Sequence, residues 1–222
     1  MILIPARNEG PRVGAVIRLV RAAMPGVDIV VVANGCTDDT AAVARAAGVT
    51  VITSTPGYGA ALLAGYRFAL TQASFDWLVQ LDADGQHPAH EIPQLVDALG
   101  DAVVVIGSRF APGGAAGDWP RRRRWTIALM GLATSVLAGI RLRDVSSGFQ
   151  ALSPAVVEFL ASDFPVELTD ANVLARLHRA GFRLAEVGVQ MDPRQGGKSM
   201  HGGWSSVIYT GKTLLALIQE MR

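Results

Sequence analysis

Two aspartates separated by one residue, Asp82-Ala83-Asp84, stand directly behind the apolar run Trp77 to Leu81. Carboxylates that close repel one another unless a cation sits between them. Hard divalent ions take oxygen ligands, and Mg²⁺ commonly takes one or two carboxylates together with substrate phosphates. Gln86, two residues on, supplies a further neutral oxygen, and His87 follows it. The pattern therefore points to a divalent metal held by Asp82 and Asp84, with Gln86 assisting. The plainer alternative is that Asp84 caps the helix opened by Pro88.

Three other polar clusters follow apolar runs. Asn8-Glu9 comes after Met1 to Ile4, Asn34-Gly35-Cys36-Thr37-Asp38 after Asp28 to Ala33, and Ser108-Arg109 after Val103 to Ile106. Any one of them is explained by a loop or a helix cap. Four at the carboxyl ends of the first, second, fourth and fifth strands describe a ligand edge, because open α/β sheets bind their ligands there.

The elements that must position these groups are legible in the periodicity. Val13 to Ala23 carries helical spacing and ends before Pro25-Gly26, Thr40 to Ala47 is an Ala-rich helix closed by Gly48, and Ala60 to Ala73 and Pro88 to Leu99 read as helices. Val49 to Thr53 reads as a further strand. The β-α-β-α-β-α-β order predicts the α/β class, with a mostly parallel central sheet covered by helices on both faces. The second half is less regular. It offers a Gly/Pro loop at 111–120 and a helix over Arg121 to Ile140. A short strand Gly148 to Leu152 and a helix Pro154 to Leu160 follow. Then come a helix Thr169 to Ala180 with Thr169 as N-cap, a strand Phe182 to Met191 and an amphipathic helix Trp204 to Met221. No linker or repeat interrupts the chain.

Composition narrows the function classes. Lys and Arg total 20 against 19 Asp and Glu, a net charge of +1, which argues against nucleic-acid binding by bulk charge. One cysteine, Cys36, excludes a disulfide framework and a cysteine zinc cluster. Mean hydropathy is high at +0.31. Yet the longest uncharged apolar run, Trp125 to Ile140, is too short to span a bilayer. The expectation is a cytoplasmic protein, with peripheral contact at the inner face of a membrane, or a homodimer, as uses for the apolar helices.

In their order along the chain these motifs resemble the family 2 inverting glycosyltransferases, in the branch of dolichyl-phosphate mannose synthases and bacterial polyprenyl-phosphate glycosyltransferases. Ile4-Pro5-Ala6-Arg7-Asn8-Glu9 matches the opening P-x-x-N-E, and Val32 to Asp38 the nucleotide-binding turn. Gly57-Tyr58-Gly59-Ala60-Ala61 with Gly65 matches G-K-G-x-A…G, and Asp82 to His87 matches D-x-D-x-x-H. Gly107-Ser108-Arg109, Asp144-Val145-Ser146-Ser147-Gly148-Phe149 and Arg194-Gln195-Gly196-Gly197-Lys198-Ser199 match three later signatures.

The resemblance implies a single GT-A domain over 1–222, a Rossmann-like three-layer fold. Residues 1–110 would form the nucleotide-sugar half and 111–222 the acceptor half. It implies a UDP- or GDP-sugar donor held by Pro5, Ala6, Asn8, Glu9, Asn34, Asp38, Gly59, Asp82 and Ala83, with Mg²⁺ or Mn²⁺ on Asp82 and Asp84. Arg109 and Arg194 would face phosphate oxygens, since arginine matches that geometry bidentately. Lys198 joins them on the acceptor side. The chain departs from the pattern at Ala33-Asn34, where carboxylates are usual, at Tyr58, where lysine is usual, and at Met200.

The acceptor stays open between two chemistries. Thr169-Asp170…Arg176-Leu177 resembles the signature of relatives that glycosylate a hydroxyl, where the aspartate is the general base. Asp144 to Phe149 and the late loop resemble relatives that glycosylate a polyprenyl phosphate, which is already anionic and needs no base. Glu167 is the reserve base. Two other readings compete with glycosyl transfer: a nucleotidyltransferase, and a non-catalytic nucleotide-sugar-binding protein.

Overall fold

The computed structural model describes residues 1–72, 74–100, 104–115 and 139–192, with positions 125, 129, 131, 132 and 136 between the last two segments. Strands β1 (Ile2–Ala6), β2 (Ile29–Asn34), β3 (Thr50–Ser54), β4 (Leu78–Gln80), β5 (Val104–Ser108), β6 (Gln150–Leu152) and β7 (Leu184–Gly188) form one sheet in the order β3-β2-β1-β4-β6-β5-β7. Every pairing is parallel except those of β6, which runs antiparallel between β4 and β5. Both halves of the chain therefore contribute to one sheet. The expected strand at Phe182 to Met191 is shorter than its sequence pattern, and it pairs with β5 from Leu184 to Gly188.

Alternate residues of each central strand point to opposite faces, and both faces are apolar, as a sheet covered on both sides requires. Leu3, Val30, Val32, Val104 and Ile106 pack under α3 (Tyr58–Ala69), α5 (Pro154–Ser162) and α6 (Ala171–Arg179). Ile2, Ile4, Val31, Val79 and Val105 pack under α1 (Gly10–Ala23) and α4 (Ile92–Asp97), with Ala44 of α2 (Thr40–Ala46) beside them. Three layers result. The single helix expected over Pro88 to Leu99 divides into a 3₁₀ turn at Ala89–Glu91 and the short α4, because Pro93 has no N–H to donate to the turn before it.

Pro5 lies inside a central strand, where proline is normally excluded. Ile2 donates to Asp28 in β2's direction, whereas Leu3 accepts from Leu81 on the β4 side. By alternation Pro5 faces β4's side, and the β1–β4 register ends at Leu3↔Gln80. The missing donor falls where the ladder has already stopped, so β1 and β4 part there. They are also the strands at which the order reverses, with β2 on one side and β4 on the other. That is the crevice in which open α/β sheets take ligands.

A buried polar ladder crosses the same strands. Tyr66 of α3 donates to Gln80 (2.5 Å), Gln80 to Gln150 (3.4 Å), and Gln150 to the Ser147 carbonyl (2.8 Å); the Ser147 hydroxyl donates to the Gly107 carbonyl (2.6 Å). Such a chain is stable only when every member is satisfied. It fixes the 144–149 turn against β4 and β5.

Candidate active site

The turn behind β4 carries Asp82 to His87. Asp84 is 6% exposed, and its Oδ1 accepts from the backbone N–H of Gln86 (3.0 Å). The Asp82 N–H donates to His87 Nδ1 (2.9 Å), which leaves the proton of the neutral ring on Nε2. That nitrogen lies 3.9 Å from Asp82 Oδ2. The His87 ring stacks on Phe149 at 5.3 Å. What Gln86 visibly contributes is its backbone, which also accepts from Asp192 N–H (2.9 Å).

Asp82 meets a second neighbour from α3. The Tyr58 hydroxyl donates to Asp82 Oδ1 (3.0 Å). Burial, then the charge of Asp82 and its hydrogen bond, then the field of Asp170 push the phenol well above its usual range. Asp170 therefore lies within electrostatic reach of this pair. Gly59, next to Tyr58, packs so closely that a Cβ would stand 2.1 Å from the Val166 carbonyl oxygen. This contact joins the start of α3 to the loop that leads into Asp170. Asp170, rather than Thr169, takes the cap position of α6, and its side chain makes no capping hydrogen bond to that helix.

Across the crevice a tight cradle joins β1 and β2. Asn8, with φ of 56°, accepts from the Thr37 N–H (2.8 Å). Asp38 accepts from Gly10 N–H (3.0 Å), Thr40 N–H (3.0 Å) and the Thr40 hydroxyl (2.5 Å). Burial raises Asp38, but these donors outweigh it and hold the carboxyl below its usual value. Arg12 donates to Glu9 (2.5 Å), and the fields of Asp84 and Asp38 both act on its guanidinium.

Two expected ligands have structural partners. Asn34 is 4% exposed, and its Oδ1 accepts from Gly57 N–H (2.8 Å), so it clamps β2 to the turn before α3. Arg109 donates Nε and Nη2 to the two oxygens of Asp144 (2.6 Å each) and Nη2 also to Ser146 (2.8 Å). Its backbone N–H donates to Asp144 as well (3.0 Å). Asp144 has no exposure, and its own N–H and that of Arg143 are held by Glu186 of β7. The fork expected to face a phosphate makes a bidentate pair with a buried carboxylate through Nε and Nη2.

The donor set suits Mg²⁺ or Mn²⁺. Asp82 and Asp84 offer hard carboxylate oxygens only, and among the described residues no third His, Cys, Asp or Glu joins them. Two carboxylates leave the remaining positions to substrate oxygens and water, as these ions prefer.

The model of the family described as glycosyl transferase family 2 matches residues 1–159. The chain belongs to that family. It is 32% identical over 219 residues to an undecaprenyl-phosphate mannosyltransferase of Micrococcus luteus, covering 91% of this chain and 88% of the relative. It is 32% identical over 215 residues to the polyprenol monophosphomannose synthase of Mycolicibacterium smegmatis, covering 91% and 81%. Its fold, of the GT-A type, is that of glucosyl-3-phosphoglycerate synthase from Mycobacterium tuberculosis, solved with Mn²⁺, uridine diphosphate and glucosyl-3-phosphoglycerate. The TM-score is 0.72 at 20% identity, over 99% of this chain and 78% of that one. As a family 2 member the chain is a glycosyltransferase, which sets aside the nucleotidyl-transfer and binding-protein readings.

In this family 2 chain the structure gathers Pro5, Ala6, Asn8, Glu9, Asp38, Gly59, Asp82, Ala83, Asp84, Gln86 and Asp170 along the carboxyl edge of the sheet. Glu167 is exposed. Arg194, Lys198, the Arg121 to Arg124 run and the Trp204 to Met221 helix lie outside the described residues. A groove of about 700 Å³ opens beside Arg109, with Phe110, Pro112, Leu132 and Leu142 on its walls and Arg141 and Arg143 along it. Sequence reasoning missed the Arg12, Gln80, Gln150 and Glu186 contacts. Only the isolated polar residues within apolar runs, Gln80 and Gln150, carried a signal.

Proposed function

We propose that this chain transfers a glycosyl group from a UDP- or GDP-sugar to a polyprenyl phosphate, with inversion at the anomeric carbon and with Mg²⁺ or Mn²⁺ bound. The observation that carries the reading is the likeness, over nine-tenths of the chain, to two enzymes named for mannosyl transfer to polyprenyl phosphates. Mannose is accordingly the first sugar to test. Asp82 and Asp84 would hold the ion, which neutralises charge on the departing nucleoside diphosphate. The Asn8–Thr37 and Asp38–Thr40 contacts shape the nucleoside side of the crevice. The Arg109–Asp144 pair holds the 144–149 turn that borders Asp82. The groove at Phe110 and Leu142 has apolar walls, two arginines, and one carboxylate, Glu186, whose oxygens already accept from the Arg143 and Asp144 N–H groups; this balance suits an anionic lipid. Residues 1–110 serve the donor and 111–222 the acceptor.

Peripheral membrane contact belongs to the same reading. Among the described residues no helix is long and apolar enough to cross a membrane. Trp125, Leu129, Leu132 and Val136 are all strongly exposed. Their spacing places them on one helical face.

A hydroxyl acceptor is the second reading. It is favoured by the close packing of Gly59, beside Tyr58, against Val166 and Thr169, the stretch that leads directly into Asp170. The deciding experiment incubates purified protein with Mn²⁺, a panel of nucleotide sugars and undecaprenyl phosphate in detergent micelles. Nucleoside diphosphate release with a β-linked lipid product from an α-linked donor is the expected result. Turnover confined to hydroxyl acceptors, or a retained α linkage, refutes the lipid-phosphate reading.

A further inference from the structure

We infer that Tyr58 is a positioning residue for Asp82: its hydroxyl holds Oδ1 and orients the carboxylate that a divalent cation and the donor diphosphate require. The inference rests on the metal reading above. The hydrogen bond is 3.0 Å, and the phenol is held in place from two sides. Asn34 anchors Gly57, immediately before Tyr58, through a 2.8 Å hydrogen bond. Gly59, immediately after it, is packed against Val166 and Thr169. The donor is therefore carried on a stretch of backbone with no room to shift.

The other side of Asp82 is equally constrained. Its N–H is tied to His87, whose ring is fixed by stacking on Phe149, and Nε2 stands 3.9 Å from Oδ2. Asp82 is thus bracketed, with a hydroxyl on one oxygen and an imidazole near the other. Its side chain is still 36% exposed, so it remains open to ligand. A tyrosine fixes the rotamer without cancelling the charge. Ligating carboxylates depend on such outer hydrogen bonds for their orientation.

Gly148 is the other half of the arrangement. A Cβ there would stand 2.8 Å from the Tyr58 hydroxyl oxygen, and the next atoms, both Asp82 carboxylate oxygens, are 3.6 Å away. The absent side chain leaves the space that the phenol occupies. Gly148 and Tyr58 should therefore behave as a coupled pair.

The test is a Mn²⁺ titration followed by electron paramagnetic resonance, with GDP and with UDP. It uses the whole chain as wild type, Tyr58→Phe, Gly148→Ala and the double variant. Tyr58→Phe keeps the ring and should weaken Mn²⁺ affinity by about 10- to 100-fold, with the melting temperature nearly unchanged. In turnover, raising Mn²⁺ should restore most of the lost rate. Gly148→Ala should weaken Mn²⁺ similarly in the wild-type background. It should add little to Tyr58→Phe, because the oxygen it strikes is gone. Mn²⁺ affinity of Tyr58→Phe within twofold of wild type overturns the inference, as does full additivity of the two changes. Should the wild type bind no Mn²⁺ with either nucleotide, the metal reading itself fails and this inference with it.

Discussion

Asp144→Ala removes the centre of the Arg109 network. Asp144 accepts three N–H groups, two from the Arg109 guanidinium at 2.6 Å and one from its backbone at 3.0 Å. Asp144 is fully buried, and the Arg109 side chain is 9% exposed. After the change the guanidinium loses its bidentate carboxylate and the backbone N–H loses its acceptor. Removing one partner of a buried pair costs about 3–5 kcal/mol. The orphaned N–H supplies about 1 kcal/mol or more of that. With a urea m-value of about 2–3 kcal/mol/M, the unfolding midpoint should fall by about 1–2.5 M. Arg109→Met combined with Asp144→Asn removes both charges of the pair and leaves an amide oxygen for the position-109 N–H. That double variant should recover most of the loss. Urea melts followed by circular dichroism measure all three proteins. A midpoint for Asp144→Ala equivalent to a loss under about 1 kcal/mol, or a double variant as unstable as Asp144→Ala, would refute the reasoning. Arg109 would then return to the role of phosphate ligand.

Asp84→Ala should lower transfer on the order of 10³-fold while the fold survives; near-normal turnover with Mn²⁺ removes Asp84 from the metal site. Asp170→Asn should change turnover onto a polyprenyl phosphate only mildly, whereas a fall of about 10² to 10⁴ with donor binding intact assigns it as general base for a hydroxyl. Burial raises Tyr66 above its ordinary value near 10.0. The unfolded chain then releases this proton at a pH where the native state holds it, so stability is fully present below pH 10 and falls above it. Urea midpoints should therefore drop between pH 10 and 11, and less steeply in Tyr66→Phe. That variant should itself cost about 1–3 kcal/mol at pH 7, because Gln80 loses its donor; equal slopes for the two proteins would remove Tyr66 as the cause.

Local chemistry alone determined much of this protein. Apolar runs, helical spacing and the Gly and Pro stops set the order of strands and helices, because periodicity and turn preference act within a few residues. The place of Asp82-Ala83-Asp84 just behind β4 was legible for the same reason, since the end of a strand and the turn after it are set within a few residues. Tertiary structure decided which partners the polar groups of these turns meet. Asn34 and Arg109 have ligand chemistry, yet their partners are Gly57, 23 residues away, and Asp144, 35 residues away. Tyr58 reaches Asp82 across 24 residues. The antiparallel insertion of β6 between β4 and β5 brings the 144–149 turn to both sites. Sheet order of this kind depends on which strands find each other in three dimensions. The short run Gln150–Leu152 carries too few residues for its hydropathy to fix either its direction or its position in the sheet.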